Sequence, residues 1–301
     1  MTTTLEDLSR ALAAAVEEGG KSVVRVEGRR RLPASGIAWS DDGVIITAHH
    51  VLERDEGITV GLPDGTEAEA SVVGRDPSTD TALLRVQGKH LQPAAWADDS
   101  SARVGHLVLA LGRPSDTVLA TLGIVSALGD AWRTPAGGSV DRFFQTDVVM
   151  YPGFSGGPLV DASGHALGLN SSALARGISL TIPAATLRKV AESLLRHGRI
   201  QRGYLGVGAQ PVRLPEEIAS KAGQATGLML ASVEPGSPAG SGGLLLGDVL
   251  ISLDGVPLRG MEDLLQALST DRVGKTVEVG ILRGGQMSSQ KVRIEERKKE
   301  G

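Results

Sequence analysis

The chain has 301 residues, a length that suggests two domains, each able to bury its own core. Hydrophobic residues make up 41% and charged residues 22%, ordinary for a globular chain, and a net charge of −4 gives no basic footprint for nucleic acid. There is no cysteine, which excludes disulfides, thiolate metal sites and a cysteine nucleophile, and fits reducing and oxidising compartments alike.

No run approaches the roughly 20 apolar residues that span a bilayer, so no transmembrane segment is expected. The first twenty residues, MTTTLEDLSRALAAAVEEGG, are acidic where a signal peptide would be basic. Two readings stay open: a chain that works in the cytoplasm, or one whose export segment is missing from the sequence.

In chain order, Leu5, Leu8, Leu12 and Val16 recur at helical spacing and predict a helix over 4–18, capped by Thr3 or Thr4 and ended by Gly19-Gly20. Val23, Val24 and Val26 open a strand pattern, Arg29-Arg30-Arg31 interrupts it as an exposed loop tip, and Gly36 to Trp39 resumes it. Short strands follow at 44–47, 58–62, 70–73, 82–86 and 107–111, then at 123–128, 143–146, 158–160, 166–170 and 180–182. Frequent short strands punctuated by Gly and Pro indicate an all-β barrel architecture. A helix over 183–198 places Leu187, Val190, Leu194 and Leu195 on one face and closes this region at Gly198.

Three stretches carry chemistry. Asp147 to Val160 reads DVVMYPGFSGGPLV, with Ser155 among glycines that permit backbone with φ > 0 and close approach. Such a turn can present a hydroxyl while nearby N–H groups aim at one point, as attack on an amide carbonyl requires; an ordinary glycine-rich turn has the same pattern. Serine needs a base and an orienting acid, and candidates stand upstream. His49-His50 ends the β-branched run from Ile45, and Asp76 and Asp80 precede the alternating strand at Ala82. The order His, Asp, Ser is one of those known for the triad.

ITAHHVL, STDTALLRV and FQTDVVMYPGFSGGPLV resemble the three catalytic blocks of chymotrypsin-fold serine proteases, specifically the HtrA (high-temperature requirement, or Deg) family. The tail from Tyr204, with YLGV, GLMLASVEPGSPAGSGGLLLGDVLISLDGVPL and GMEDLLQAL, resembles a PDZ domain of the same kind. The implied fold is mainly β, a chymotrypsin-like double β-barrel protease domain followed by a smaller α+β PDZ domain. The expected boundaries are an N-terminal helical segment 1–20, a protease domain 21–199, a linker 200–203 and a PDZ domain 204–297.

The resemblance also places the site. The family's T-x-x-H-V block puts the base at His50 and leaves His49 structural; a metal site on the His pair is not expected, since adjacent strand residues would point to opposite faces and no further ligand cluster is evident. Its T-D-x-A-x-L block puts the acid at Asp80 and leaves Asp76 as a turn residue. Gly153 and Ser155 would supply the oxyanion hole, with Phe154 and Tyr151 standing where the family usually has Asn. Met150, Ala173 and Leu174 would line an apolar S1 pocket suited to aliphatic side chains. Tyr204, Leu205, Gly206 and Val207 would hold a peptide's terminal carboxylate, with the helix 261–268 lining the groove.

The implied function is a serine endopeptidase acting on unfolded or partly folded proteins in protein quality control, without cofactor or metal. Its PDZ domain would bind C-terminal peptides for tethering or allosteric activation. Alternatives are a regulatory protease for one signalling substrate and a catalytically silent scaffold. The family implies a bacterial periplasm or cell envelope and a homotrimer or other homo-oligomer. The segment before Trp39 has no aromatic residue for the family's trimer packing, so a helix packed on its own protease domain is the competing reading.

Overall fold

The computed structural model describes residues 4–98, 101–134, 138–174, 179–201, 203–268 and 272–296. The chain divides between Ile200 and Gln201 into two compact units.

The first unit opens with helix α1 (Leu5–Gly20). Thr4 caps it through a reciprocal capping box with Asp7, which satisfies two of the orphan N–H groups at the helix start. Leu12, Ala15 and Val16 pack with Leu109, Leu111 and Val160, while Leu5 and Leu8 stay exposed. Gly19-Gly20 does not stop the helix as expected but belongs to it. A Cβ on Gly19 would sit 2.9 Å from Leu111 Cδ1 and 3.1 Å from Gly164 O, so glycine here allows close packing rather than termination.

Two antiparallel barrels follow. Strands β1 (Val23–Glu27), β2 (Ala34–Ala38), β3 (Val44–Ala48), β4 (Ile58–Gly61), β5 (Glu67–Asp76) and β6 (Thr81–Val86) close in the order β1-β2-β3-β6-β5-β4. Strands β7 (Leu107–Gly112) and β8 (Leu119–Gly129) begin the second barrel, and a small ribbon, β9 (Trp132–Arg133) with β10 (Ser139–Val140), interrupts it. Strands β11 (Phe143–Thr146), β12 (Pro158–Asp161), β13 (Ala166–Ser171) and β14 (Ser179–Pro183) complete the order β11-β14-β13-β12-β7-β8. Closure removes exposed edges, and the β-branched and leucine positions fill the interiors. Ile37, Ile45, Ile46, Leu83 and Leu84 are fully buried in the first barrel, and Val108, Phe144 and Leu159 in the second. Each such side chain contributes about 1.5–3 kcal/mol of transfer free energy.

Helix α2 (Ala184–His197) ends at Gly198, whose φ of 69° is the left-handed cap expected there. It buries Leu187, Val190 and Leu194 as read from the sequence, but Leu195 lies on the solvent side.

The second unit begins within the residues read as a linker, because β15 (Gly203–Tyr204) already pairs with the terminal β22 (Glu295–Glu296). Between them lie β16 (Val207–Arg213), α3 (Glu216–Ala222), β17 (Thr226–Val233), α4 (Pro238–Ser241), β18 (Val249–Leu253), β19 (Val256–Pro257), α5 (Met261–Ala267), β20 (Thr276–Arg283) and β21 (Gln286–Arg293). The sheet runs β16-β17-β18-β20-β21, with β19 on β18, so β16 is an edge strand. Leu228, Leu230, Leu250, Leu253, Val279 and Ile281 form its core, and Leu264 and Ala267 of α5 close it.

Candidate active site

The loop between β11 and β12 is shaped by its own residues. Tyr151, Pro152, Gly153 and Phe154 form a tight turn in which Phe154 N donates to Tyr151 O at 3.0 Å. Proline presets the first central position, and Gly153, at φ +97°, meets the positive φ that a type II turn needs at the second. The Phe154 ring is completely buried in the second barrel's core and meets Tyr151 edge-on at 5.9 Å. Apolar packing therefore anchors the loop.

The first barrel holds the other side of this loop. Ser35 N donates to Ser155 O at 3.1 Å, and Ser35 Oγ donates to Gly153 O at 2.7 Å while accepting from Arg113 N at 2.8 Å. A Cβ on Gly156 would lie 2.1 Å from Ser35 O, so only glycine fits there. Gly156 N donates to Asn170 O and Asn170 N to Gly157 O, each at 2.9 Å, fixing the loop to the end of β13. The N–H groups of Gly153 and Ser155, the expected oxyanion donors, have no hydrogen-bond acceptor among the described residues.

His49 and His50 lie in a single 3₁₀ turn after β3 (His49–Val51) and not on the strand, so the expected alternation of faces does not apply to them. His50 Nδ1 is 2.8 Å from Asp80 Oδ2, and His50 N donates to Asp80 Oδ1 at 2.9 Å. Ser171 Oγ donates to the same Oδ2 at 2.5 Å. Asp80 is buried and takes a left-handed backbone, φ 53°, unusual for a side chain other than glycine. Its carboxylate accepts the Nδ1 hydrogen and leaves the Nε2 lone pair free to act as base. Asp76 is the turn residue expected: its carboxylate accepts from Ser78 N, Ser78 Oγ and Thr79 Oγ1 and shapes the loop that carries Asp80.

Ser155 does not bond His50 directly among the described residues. Its Oγ lies 3.0 Å from Ser172 Oγ, which in turn lies 3.5 Å from His50 Nε2. The Ser172 hydroxyl thus stands between Ser155 Oγ and His50 Nε2. His49 is half-buried with its Nδ1 unpartnered. Burial first, then the Arg75 charge, pushes its pKa below the ordinary histidine value, against the pull of Asp80 and Asp76.

A cleft of about 420 Å³ opens at Ser155, and Met150 is among the residues that line it. Ala173 is exposed beside Ser172, whereas the Leu174 side chain is buried with Leu169, Leu180 and Ile182. Residues 175–178 of that loop lie outside the described residues. Ser35, Ser171 and Ser172 escaped the sequence reading. The Ser171-Ser172 pair directly after Asn170 was the available signal; Ser35 lies 120 positions from the loop it holds and had none.

In the second unit, Leu205 is buried, Gly206 turns the chain at φ 75°, and the Tyr204 hydroxyl donates to Glu234. The N–H groups of Leu205 and Gly206 donate to no backbone carbonyl among the described residues. They stand at the start of the edge strand β16, against which α5 packs.

Residues 34–169 match the trypsin-like peptidase domain and residues 203–294 the PDZ domain. Among solved structures, a serine endoprotease from Yersinia pestis is 31% identical, superposes with a TM-score of 0.76, and the match covers 95% of this chain and 98% of that one. The HtrA-type protease AlgW, solved with a tripeptide, is also 31% identical, with a TM-score of 0.77 and coverage of 96% and 98%. The chain belongs to the HtrA family. A Rhizobium meliloti (strain 1021) protein named as a probable periplasmic serine endoprotease, DegP-like, is 37% identical over 283 residues, 90% of this chain and 55% of that protein. The chain spans about half the length of the curated relatives it matches. The two barrels and the PDZ domain are thus the HtrA arrangement of parts, as the sequence implied.

Proposed function

We propose that the chain is a serine endopeptidase in which Ser155, His50 and Asp80 form the catalytic triad. Ser155 Oγ attacks the scissile carbonyl carbon while His50 Nε2 takes its proton, and Asp80 holds the imidazole and stabilises the imidazolium. The N–H groups of Gly153 and Ser155 stabilise the oxyanion, a contribution of about 3–4 kcal/mol per donor. Collapse of the tetrahedral intermediate expels the amine with the proton from His50, and water, activated by the same imidazole, releases the acyl group. Met150 gives the cleft an apolar lining for the side chain before the scissile bond.

The observation that carries this reading is the His50 Nδ1–Asp80 Oδ2 contact at 2.8 Å, with Nε2 turned toward Ser172 and Ser155. The substrates are unfolded or partly folded polypeptides. The free edge of β16 and the N–H groups of Leu205 and Gly206 support capture of a C-terminal peptide as an added strand. Exposed Leu5 and Leu8 on α1 support a homo-oligomer.

A regulatory protease that acts only on a cue is favoured by one observation, the Ser155 hydroxyl resting against Ser172 instead of His50. A fluorophosphonate probe tests the chemistry: the adduct is expected on Ser155 and lost in Ser155→Ala and His50→Ala. Absence of labelling, with and without a hydrophobic C-terminal peptide, would return the chain to the class of scaffolds.

A further inference from the structure

The turn between β1 and β2 carries three consecutive arginines that the sequence suggests are only an exposed tip. Two of them, Arg29 and Arg31, line the same cleft as Ser155, and Arg30 does not. The side of the cleft they occupy follows from the chemistry. His50 returns its proton to the departing amine, so the half of the substrate after the scissile bond lies on the His50 side of Ser155. Glu53, three residues beyond His50, is the third charged residue of the cleft, and its N–H donates to Gly28 O at 2.9 Å. That bond ties the arginine turn to the segment that carries His50.

The charges on this wall do not cancel. Arg29 donates to the carbonyls of Leu32 and Pro33, so its guanidinium is held in place without a carboxylate partner. Arg31 is exposed and has no hydrogen bond or ion pair among the described residues. Glu53 accepts from the Arg30 backbone N–H at 3.4 Å and forms an ion pair with neither arginine. Two arginines therefore line the cleft against one carboxylate residue, Glu53.

We propose that Arg29 and Arg31 form a subsite for an acidic side chain within the first three residues after the scissile bond. It rests on the protease reading above and names the substrate class for that site. A guanidinium presents a planar fork that matches a carboxylate. Exposed pairs are individually weak, so the two together favour an acidic residue by roughly fivefold in kcat/KM, and salt weakens the preference.

The test uses the full chain and fluorogenic peptides that share a valine before the scissile bond and carry Asp, Asn or Lys at the first, second or third position after it. Asp is expected to exceed Asn about fivefold at one of these positions, mainly through KM, with Lys the poorest and the spread shrinking as salt rises. Arg31→Glu should reverse the order of Asp and Lys, while Arg30→Gln leaves it unchanged. Equal rates for all three residues at every position, with Ser155 still labelled by fluorophosphonate, overturn the subsite and leave the protease reading standing. An Asp preference that survives Arg31→Glu also overturns it. Loss of both cleavage and Ser155 labelling in the wild type removes the protease reading and the subsite together.

Discussion

Asp80→Asn is the most informative single change, because the contacts of this carboxylate dictate how the amide must sit. Oδ1 faces the His50 backbone N–H at 2.9 Å, and Oδ2 faces both His50 Nδ1 and Ser171 Oγ. Placing the new NH₂ at Oδ1 would set two donors against each other, so the amide oxygen must stay there and the NH₂ must take the Oδ2 position. It then donates to Nδ1 and forces the hydrogen onto Nε2, the atom that has to accept the Ser155 proton. The serine hydroxyl of Ser171 can turn to accept, so the fold survives. Loss of the correct tautomer costs about 10⁴-fold in kcat, or about 5.5 kcal/mol of transition-state stabilisation. Steady-state cleavage of a fluorogenic peptide, with circular dichroism as the control for folding, measures it. A loss below tenfold in a folded variant would refute the assignment of Asp80 as the residue that sets the tautomer.

Three further changes probe the surroundings. Phe154→Ala empties a fully buried ring site and is expected to cost about 3–5 kcal/mol in denaturant unfolding, with a fall in kcat as the oxyanion loop loses its anchor; a stable variant with unchanged kcat would contradict the packing account. Ser172→Ala frees Ser155 Oγ to turn to His50 and should raise the fluorophosphonate labelling rate about two- to tenfold, the range for one neutral hydrogen bond; a slower rate would show that Ser172 assists the chemistry. His49 has a folded pKa below its unfolded value, so its stabilising contribution is complete above the unfolded pKa and is lost as pH falls through the folded one. His49→Gln should therefore narrow its stability gap from the wild type as the pH is lowered from neutrality toward 5, measured by thermal melts; a gap that widens would reverse the sign of this argument.

The parts of the fold that repeat locally were legible. Barrel strands such as Val44–Ala48 and Thr81–Val86 announce themselves by β-branched and apolar runs, and α2 by its spacing and its terminal glycine. The contact of His50 with Asp80 was legible through the blocks that resemble the family. What escaped depends on residues distant in sequence. Gly19-Gly20 looks like a helix stop until Leu111 and Gly164 are seen pressed against it. Ser35 looks like any strand serine until the Ser155 loop is laid across it. Ser171 and Ser172 share one dipeptide but face Asp80 and Ser155 respectively, a division that depends on how β13 ends in the cleft. The arginine turn was read from its charge, and charge alone does not say which surface it borders.

Ser155 is proposed as the nucleophile of an endopeptidase. Casein digestion by the wild type and by Ser155→Ala, each with and without a hydrophobic C-terminal peptide, tests it most directly. The expected result is cleavage by the wild type that the alanine variant lacks under both conditions; a wild type active only with peptide would add that the resting site is gated. Equal digestion by the two proteins would contradict the claim.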